Sequence, residues 1–555
     1  MGMLSAVRMR VPALLIGVLV AGAAGCAVEE RPVPAQCDAT LDAVFAAWAR
    51  AGFSGAVAVS TGGRFDCLAG YGVADDTTGA RNSADTVFSL GSVSKVLTAT
   101  AILQLAEAGR LSLDDRVGEL VPAVTGPAAE ATVRHLLLHT SGIDGSIGAD
   151  DEPLDRAGAI AAINRLEPAF PPGTDDAYSN AGYTLLAIII DTVSGKSYRD
   201  YTLQHVLTLP GGVAGGFWHG RPAAAGPVAA GYLDDGEPGR SNDFAGPYWT
   251  TEGNGSLAMT TEELATWTYA LFKGGPAGLA GEPGHAVGEG RSHTLGGWMA
   301  FDASVYGLPI VAAAGGGGDV GHDTAVVWIP GRDRVIALSS NRAVLTAEEL
   351  LAATLPALVA GDPLPVPTAS SGGGDPAALA GRYRLDTGGS FQVTVADGRA
   401  RIAANGADAV GVLFPPRGRF TAADLRRHEE RVLGMLAGGT REGREEREAV
   451  ADRFGPVTAV TGGGTVVADG EMRTYVTMTT RDGPQLGWYA VDEHSTIEGA
   501  ELPTVPPALT LAPVGADRYR PDDPAGTGPL VTLDFDGGRV TVTGAAGTAT
   551  AQRPG

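Results

Sequence analysis

Strand-like runs stand at both ends of residues 38–360, and helix-like segments fill the space between them. At the front, Gly55–Ser60 and Phe65–Tyr71 flank Thr61-Gly62-Gly63, the pattern of a hairpin. At the back, Gly296–Ala300, Leu308–Ala313, Thr324–Ile329 and Arg334–Ser339 are short apolar runs of strand length. Between the two sets, a run from Ser92 to about Ala108 closes on Gly109, and Thr260-Thr261-Glu262-Glu263 has capping-box spacing ahead of another helix. Leu41, Val44, Phe45 and Trp48 give Leu41–Ala51 a helical apolar stripe. Strands this far apart in sequence imply one sheet, built from both ends of a single α/β unit.

The chain has 555 residues, too many for one ordinary domain. Residues 361–376 are rich in Pro, Ser and Gly and read as a linker. Beyond it, residues 377–555 form a β-rich C-terminal region, with strand-like stretches from Arg382 to Ala404 and from Arg518 to Thr543. Charged helices at Ala422–Leu436 and Arg441–Phe454, then three strand-like runs, suggest an α+β insertion at about 420–500.

The first residues read as an export signal. Arg8 and Arg10 precede an apolar run from Val11 to Ala24, too short for a membrane span. Ala23-Ala24-Gly25-Cys26 then resembles a bacterial lipobox, although the first position is usually Leu. The expectation is a signal over 1–26, lipidation at Cys26, a tether over 27–37 and an exported chain anchored in the cell membrane. The alternative is a plain secretory signal. Cys37 and Cys67 remain; in an exported chain they can pair, or stay as two free buried thiols. The formal charge of −23 argues against nucleic acid, which needs a basic face.

Only three lysines occur, Lys95, Lys196 and Lys273, and the first lies three residues after Ser92 at a helix start. A serine hydroxyl is a weak nucleophile until a base takes its proton. A side chain three residues on shares its helical face. Burial lowers the proton affinity of a lysine, so it can serve as that base. Ser-x-x-Lys also occurs by chance, and a solvated lysine on a surface helix fits the spacing equally well.

The wider context resembles the serine β-lactamase and penicillin-binding-protein superfamily, in the branch of class C β-lactamases, D-alanyl-D-alanine carboxypeptidases and related esterases. Phe88-Ser89-Leu90-Gly91-Ser92-Val93-Ser94-Lys95 matches its active-site signature, and Thr132 through Gly142 its following helix and turn. Tyr178-Ser179-Asn180 matches its Tyr-x-Asn motif, and Leu257 to Trp267 its late helix. The resemblance implies a β-lactamase/transpeptidase-like fold, with an antiparallel sheet flanked by helices. It makes Ser92 the nucleophile, Lys95 and Tyr178 the proton-transfer groups, and Asn180 a substrate-binding residue that orients Lys95. A tyrosinate, or a proton shared with Lys95, would relay to the leaving group. Backbone N–H groups of Ser92 and Gly318 would form the oxyanion hole, with Gly317 beside them.

The third motif departs from the family. Lys or His, then Thr or Ser, then Gly is replaced by Gly315-Gly316-Gly317, so the cation that meets a substrate carboxylate is missing. His293-Thr294-Leu295-Gly296-Gly297 aligns with the preceding family strand, and His322 reads as a loop histidine or as a substitute cation. His135 and His139 have metal-ligand spacing, but Leu136 stands where a zinc protease carries its Glu; the resemblance makes both structural. No metal or cofactor is implied. The expected reaction is hydrolysis of an amide or ester through an acyl-enzyme. Candidate substrates are small or peptidoglycan-derived: D-amino-acid peptides, esters and β-lactams. The alternatives are a penicillin-recognising protein without turnover and a structural envelope lipoprotein with a degenerate site.

Overall fold

The computed structural model describes residues 36–554, apart from 210–211, 234–235, 241–244, 275–279, 317–319, 368–374, 397, 418–419, 469–470, 493, 516, 524–527 and 546. The expected signal, Cys26, most of the tether, Gly317 and Gly318 therefore lie outside the described residues, as do 368–374 of the expected linker. Among the described residues no helix is long and apolar enough to cross a membrane.

Both ends of the first unit do meet in one sheet. Its nine strands are all antiparallel, and Gly55–Thr61 pairs directly with Arg334–Ser340. From that junction the order runs outward through Asp323–Ile329, Ile310–Gly316, Met299–Phe301 and Arg291–Thr294 to Pro283–Gly288. Asp323–Ile329 is buried at every residue, which is why it reads as a continuous apolar run rather than an alternating one. Ala39–Arg50 and Ala347–Ala360 contribute to the core on one face of the sheet. Ser94–Glu107, Asn180–Ser194 and Thr261–Gly274 contribute to the core on the other. Ser94–Glu107 shows no single apolar stripe because it is enclosed along most of its length. Cys37 and Cys67 are bonded, joining the first short strand to the hairpin.

Two local expectations are corrected. Ser92 does not open the α-helix; it sits in a 3₁₀ turn, Gly91–Val93, and the α-helix starts at Ser94. Leu257 to Trp267 is not one helix: Leu257–Met259 is a strand, and the helix begins at Thr261. That strand pairs with Phe88–Ser89, just ahead of the nucleophile turn. The edge strand Pro283–Gly288 carries one proline and two glycines and is exposed along much of its length, so hydropathy gives no signal for it.

The C-terminal region is a closed eight-stranded barrel. Arg399–Asn405 pairs with Ala508–Pro513, so the chain between these strands is an insertion into the barrel. It is wider than the expected 420–500, because Ala407–Leu413 also belongs to it. Three helices in it precede a four-stranded sheet, Ala459–Ala468 to Ile497–Glu501.

Candidate active site

The structure brings Ser92, Lys95, Tyr178 and Asn180 together from two helix starts. The nucleophile turn is fixed from outside: Leu90 N donates to Leu257 O at 2.9 Å, and Leu257 N donates to Ser94 Oγ at 3.1 Å. The second start is fixed by capping, since Ser179 Oγ accepts from Gly182 N. Ser179 N in turn donates to Nδ1 of His139 at 3.1 Å, and the His139 ring stacks on Tyr178 with centroids 4.8 Å apart. Tyr178 and Asn180 are thereby placed on either side of a capped position.

Lys95 is 3 % exposed, and its Nζ has three oxygens within reach: Ser92 Oγ at 3.0 Å, Asn180 Oδ1 at 2.7 Å and the Asn254 carbonyl at 3.0 Å. Burial pulls its pKa down to about 7, with Asp150 opposing. The two amide carbonyls can only accept. When Lys95 is neutral, its two N–H groups therefore point at Asn180 and Asn254, and the nitrogen lone pair faces Ser92 Oγ. The Ser92 hydroxyl can donate into that lone pair while its oxygen accepts from Tyr178 OH at 2.6 Å. Burial of the hydroxyl pushes Tyr178 up to about 12, although the side chain as a whole is 51 % exposed at the rim. At neutral pH the phenol thus carries its proton, which favours a shared-proton relay over a resting tyrosinate.

Asn254 and Ser146 were not singled out by the sequence. Asn254 acts through its backbone carbonyl, which leaves no side-chain signature, and its amide braces the turn by donating to Thr184 Oγ1 and Thr250 O. Ser146 accepts from Asn180 Nδ2 at 3.0 Å. His135 accepts from Thr132 N in a capping box. His139 is held neutral by burial and by His293 and Lys95 nearby. Both histidines thus use a ring nitrogen on backbone. His322 is buried, accepts from Ser89 N at 3.0 Å and is pulled down to about 4 by burial. It braces the strand behind the nucleophile and is not a cation for substrate.

A family model for beta-lactamase matches residues 41–361. The chain belongs to the beta-lactamase family. Among its relatives, penicillin-binding protein 4 of Amycolatopsis lactamdurans is 37 % identical over 145 residues, 25 % of this chain and 38 % of that protein. Penicillin-binding protein 4* of Bacillus subtilis is 34 % identical over 171 residues, 29 % of this chain and 37 % of that protein. The chain thus spans well under half the length of these curated relatives. The octameric penicillin-binding protein homologue from Pyrococcus abyssi shares the fold, with a TM-score of 0.52 at 19 % identity over 85 % of this chain and 99 % of that one.

Within this beta-lactamase fold, the turn that offers the Asn254 carbonyl rests on a buried ion pair. Arg199 Nε lies 2.5 Å from Glu252 Oε1, and the guanidinium also donates to the His219 and Arg221 carbonyls. Arg199→Met leaves the Glu252 carboxylate buried without its partner. The expected loss is about 3–5 kcal/mol of stability, read by thermal denaturation. An unchanged melting temperature would refute the bracing role.

Proposed function

We propose that the chain is an exported serine hydrolase that acts through a covalent acyl-enzyme. Ser92 attacks the carbonyl of an amide or ester, Lys95 takes its proton, and Tyr178 passes a proton to the leaving group. Water then releases the acyl group. The observation that carries this reading is the Lys95 environment, where two obligate acceptors aim the amine lone pair at Ser92 Oγ. D-amino-acid peptides, esters and β-lactams are the substrate classes, acted on by a chain tethered to the cell membrane through Cys26 and facing the cell wall or periplasm. The glycine at position 315, where the usual carboxylate anchor is missing, favours a second reading, a structural envelope lipoprotein with a degenerate site.

The test is covalent labelling. Wild type and Ser92→Ala are treated with a fluorophosphonate and a fluorescent β-lactam, and adducts are mapped by mass spectrometry. The expected adduct is on Ser92, absent in the variant, with turnover of p-nitrophenyl acetate in wild type. Labelling without turnover makes the chain a penicillin-recognising protein and overturns the hydrolase; no adduct on Ser92 and no turnover selects the second reading.

A further inference from the structure

The turn between the strands Gly483–Val491 and Ile497–Glu501 belongs to the insertion in the C-terminal barrel, yet it lies against the loops that carry the active site. A cavity of about 400 Å³ has Asp144, Phe170 and Ala177 on one side and His494, Thr496 and Ile497 on the other. Ala177 adjoins Tyr178, and Asp144 is two residues from Ser146, the partner of Asn180. The cavity is thus walled by the same two loops that present Tyr178 and Asn180.

The opposing wall is organised. The Asp492 carboxylate accepts from His494 N and Thr496 N, both at 2.8 Å, and Asp492 N donates to Thr496 O. Ser495 takes a left-handed backbone, φ 68°, to close the turn. His494 stays exposed. Asp175 and Asp176 also line the cavity, and among the described residues no Lys or Arg does. Asp176 is paired with His285 at 3.2 Å and Asp492 is used by the turn; Asp175 accepts from Asp176 N at 2.9 Å through one oxygen, and Asp175 and Asp144 both line the space. Position 315, on the strand packed against the nucleophile turn, offers no cation.

We infer that this turn is the far wall of the substrate cleft, through which the C-terminal insertion selects substrates with an extended, uncharged or cationic arm and disfavours those whose arm ends in a carboxylate. The inference rests on the acyl-enzyme reading above. An arm seated there would contact Phe170 and Ile497 with its apolar part and present its end to the Asp144 and Asp175 carboxylates. A carboxylate end would meet like charge there.

The full chain is assayed with p-nitrophenyl esters of acetate, 6-aminohexanoate and adipate. Wild type is expected to prefer the ammonium arm to the carboxylate arm by tenfold or more in kcat/KM. His494→Trp, at an exposed position, and independently Thr496→Trp, should lower kcat/KM for both long esters tenfold or more and change acetate less than twofold. Asp175→Asn should narrow the preference between the arms. The inference is overturned by a wild-type preference for the carboxylate arm, or by tryptophan variants that scale all three esters alike or leave them unchanged. Labelling of Ser92 is followed in parallel: if it fails in wild type, the acyl-enzyme reading falls and takes the inference with it, whereas intact labelling without arm selection defeats the inference alone.

Discussion

Ser92→Ala and Lys95→Met are each expected to lower ester hydrolysis by about 10⁴-fold, and the double variant is expected to be no worse than the weaker single one. The two side chains act as one device. Without the hydroxyl the amine has nothing to activate; without the amine the hydroxyl keeps its proton. Effects of residues that work as a unit do not add, so additive losses would mean that Lys95 acts elsewhere. Lys95→Arg is expected to fail as fully as Lys95→Met, because a guanidinium stays charged and has no lone pair to offer. The measurement is kcat/KM for a p-nitrophenyl ester, with retained melting temperature as the control for folding.

The same device sets the pH profile. The base form of Lys95 is the reactive one, and burial places its pKa at about 7. Below that value Lys95 is an ammonium and cannot accept from Ser92. As pH rises through about 7 the free amine accumulates, so kcat/KM should climb and then level off. Tyr178, pushed to about 12, stays protonated across this range and should add no second limb near neutrality. A profile that falls between pH 6 and 8 would contradict the assignment of Lys95 as the base.

Much of this site was legible in the sequence because its parts are side chains at short, regular spacings. Ser92 and Lys95 are three apart at a helix start, and Tyr178 and Asn180 bracket an N-cap serine. The sheet was legible for a related reason: its inner strands are buried on both faces and read as unbroken apolar runs. What the sequence hid is backbone and surface. The carbonyl of Asn254 completes the Lys95 environment, but any residue has a carbonyl. The exact start of the α-helix turned on Gly91, whose φ of 48° permits the 3₁₀ turn that carries Ser92. The edge strand Pro283–Gly288 has no hydropathy signal, and the approach of the 492–497 turn to residues about 320 positions away follows from barrel docking, which leaves no local pattern.

Gly315→Ala is expected to lower kcat/KM by about 100-fold and stability by about 1–3 kcal/mol, while Gly316→Ala stays within a few-fold of wild type. The two positions are neighbours on one strand, but they face different things. A Cβ at Gly315 would lie 2.4 Å from Ser92 N, 2.9 Å from Val93 N and 3.0 Å from Ser92 Cα, all backbone atoms of the nucleophile turn. None of them can rotate aside, so either the strand retreats or the turn that aims Ser92 shifts. From the opposite direction, a Cβ at Gly91 would come within 3.1 Å of the Gly315 and Gly316 carbonyls. Strand and turn therefore pack backbone to backbone, and glycine is needed on both sides. A Cβ at Gly316 would meet only the Asp323 side chain, at 3.3 Å. Equal effects of the two alanines, or a harmless Gly315→Ala, would refute this packing argument. The same geometry bears on the third family motif. Lys or His at position 315 would bring the same Cβ, so Gly315→His should impair the enzyme rather than restore recognition of a carboxylate. The loss of the cation is thus coupled to the close packing that holds Ser92, and selection of the substrate must come from other walls of the cleft.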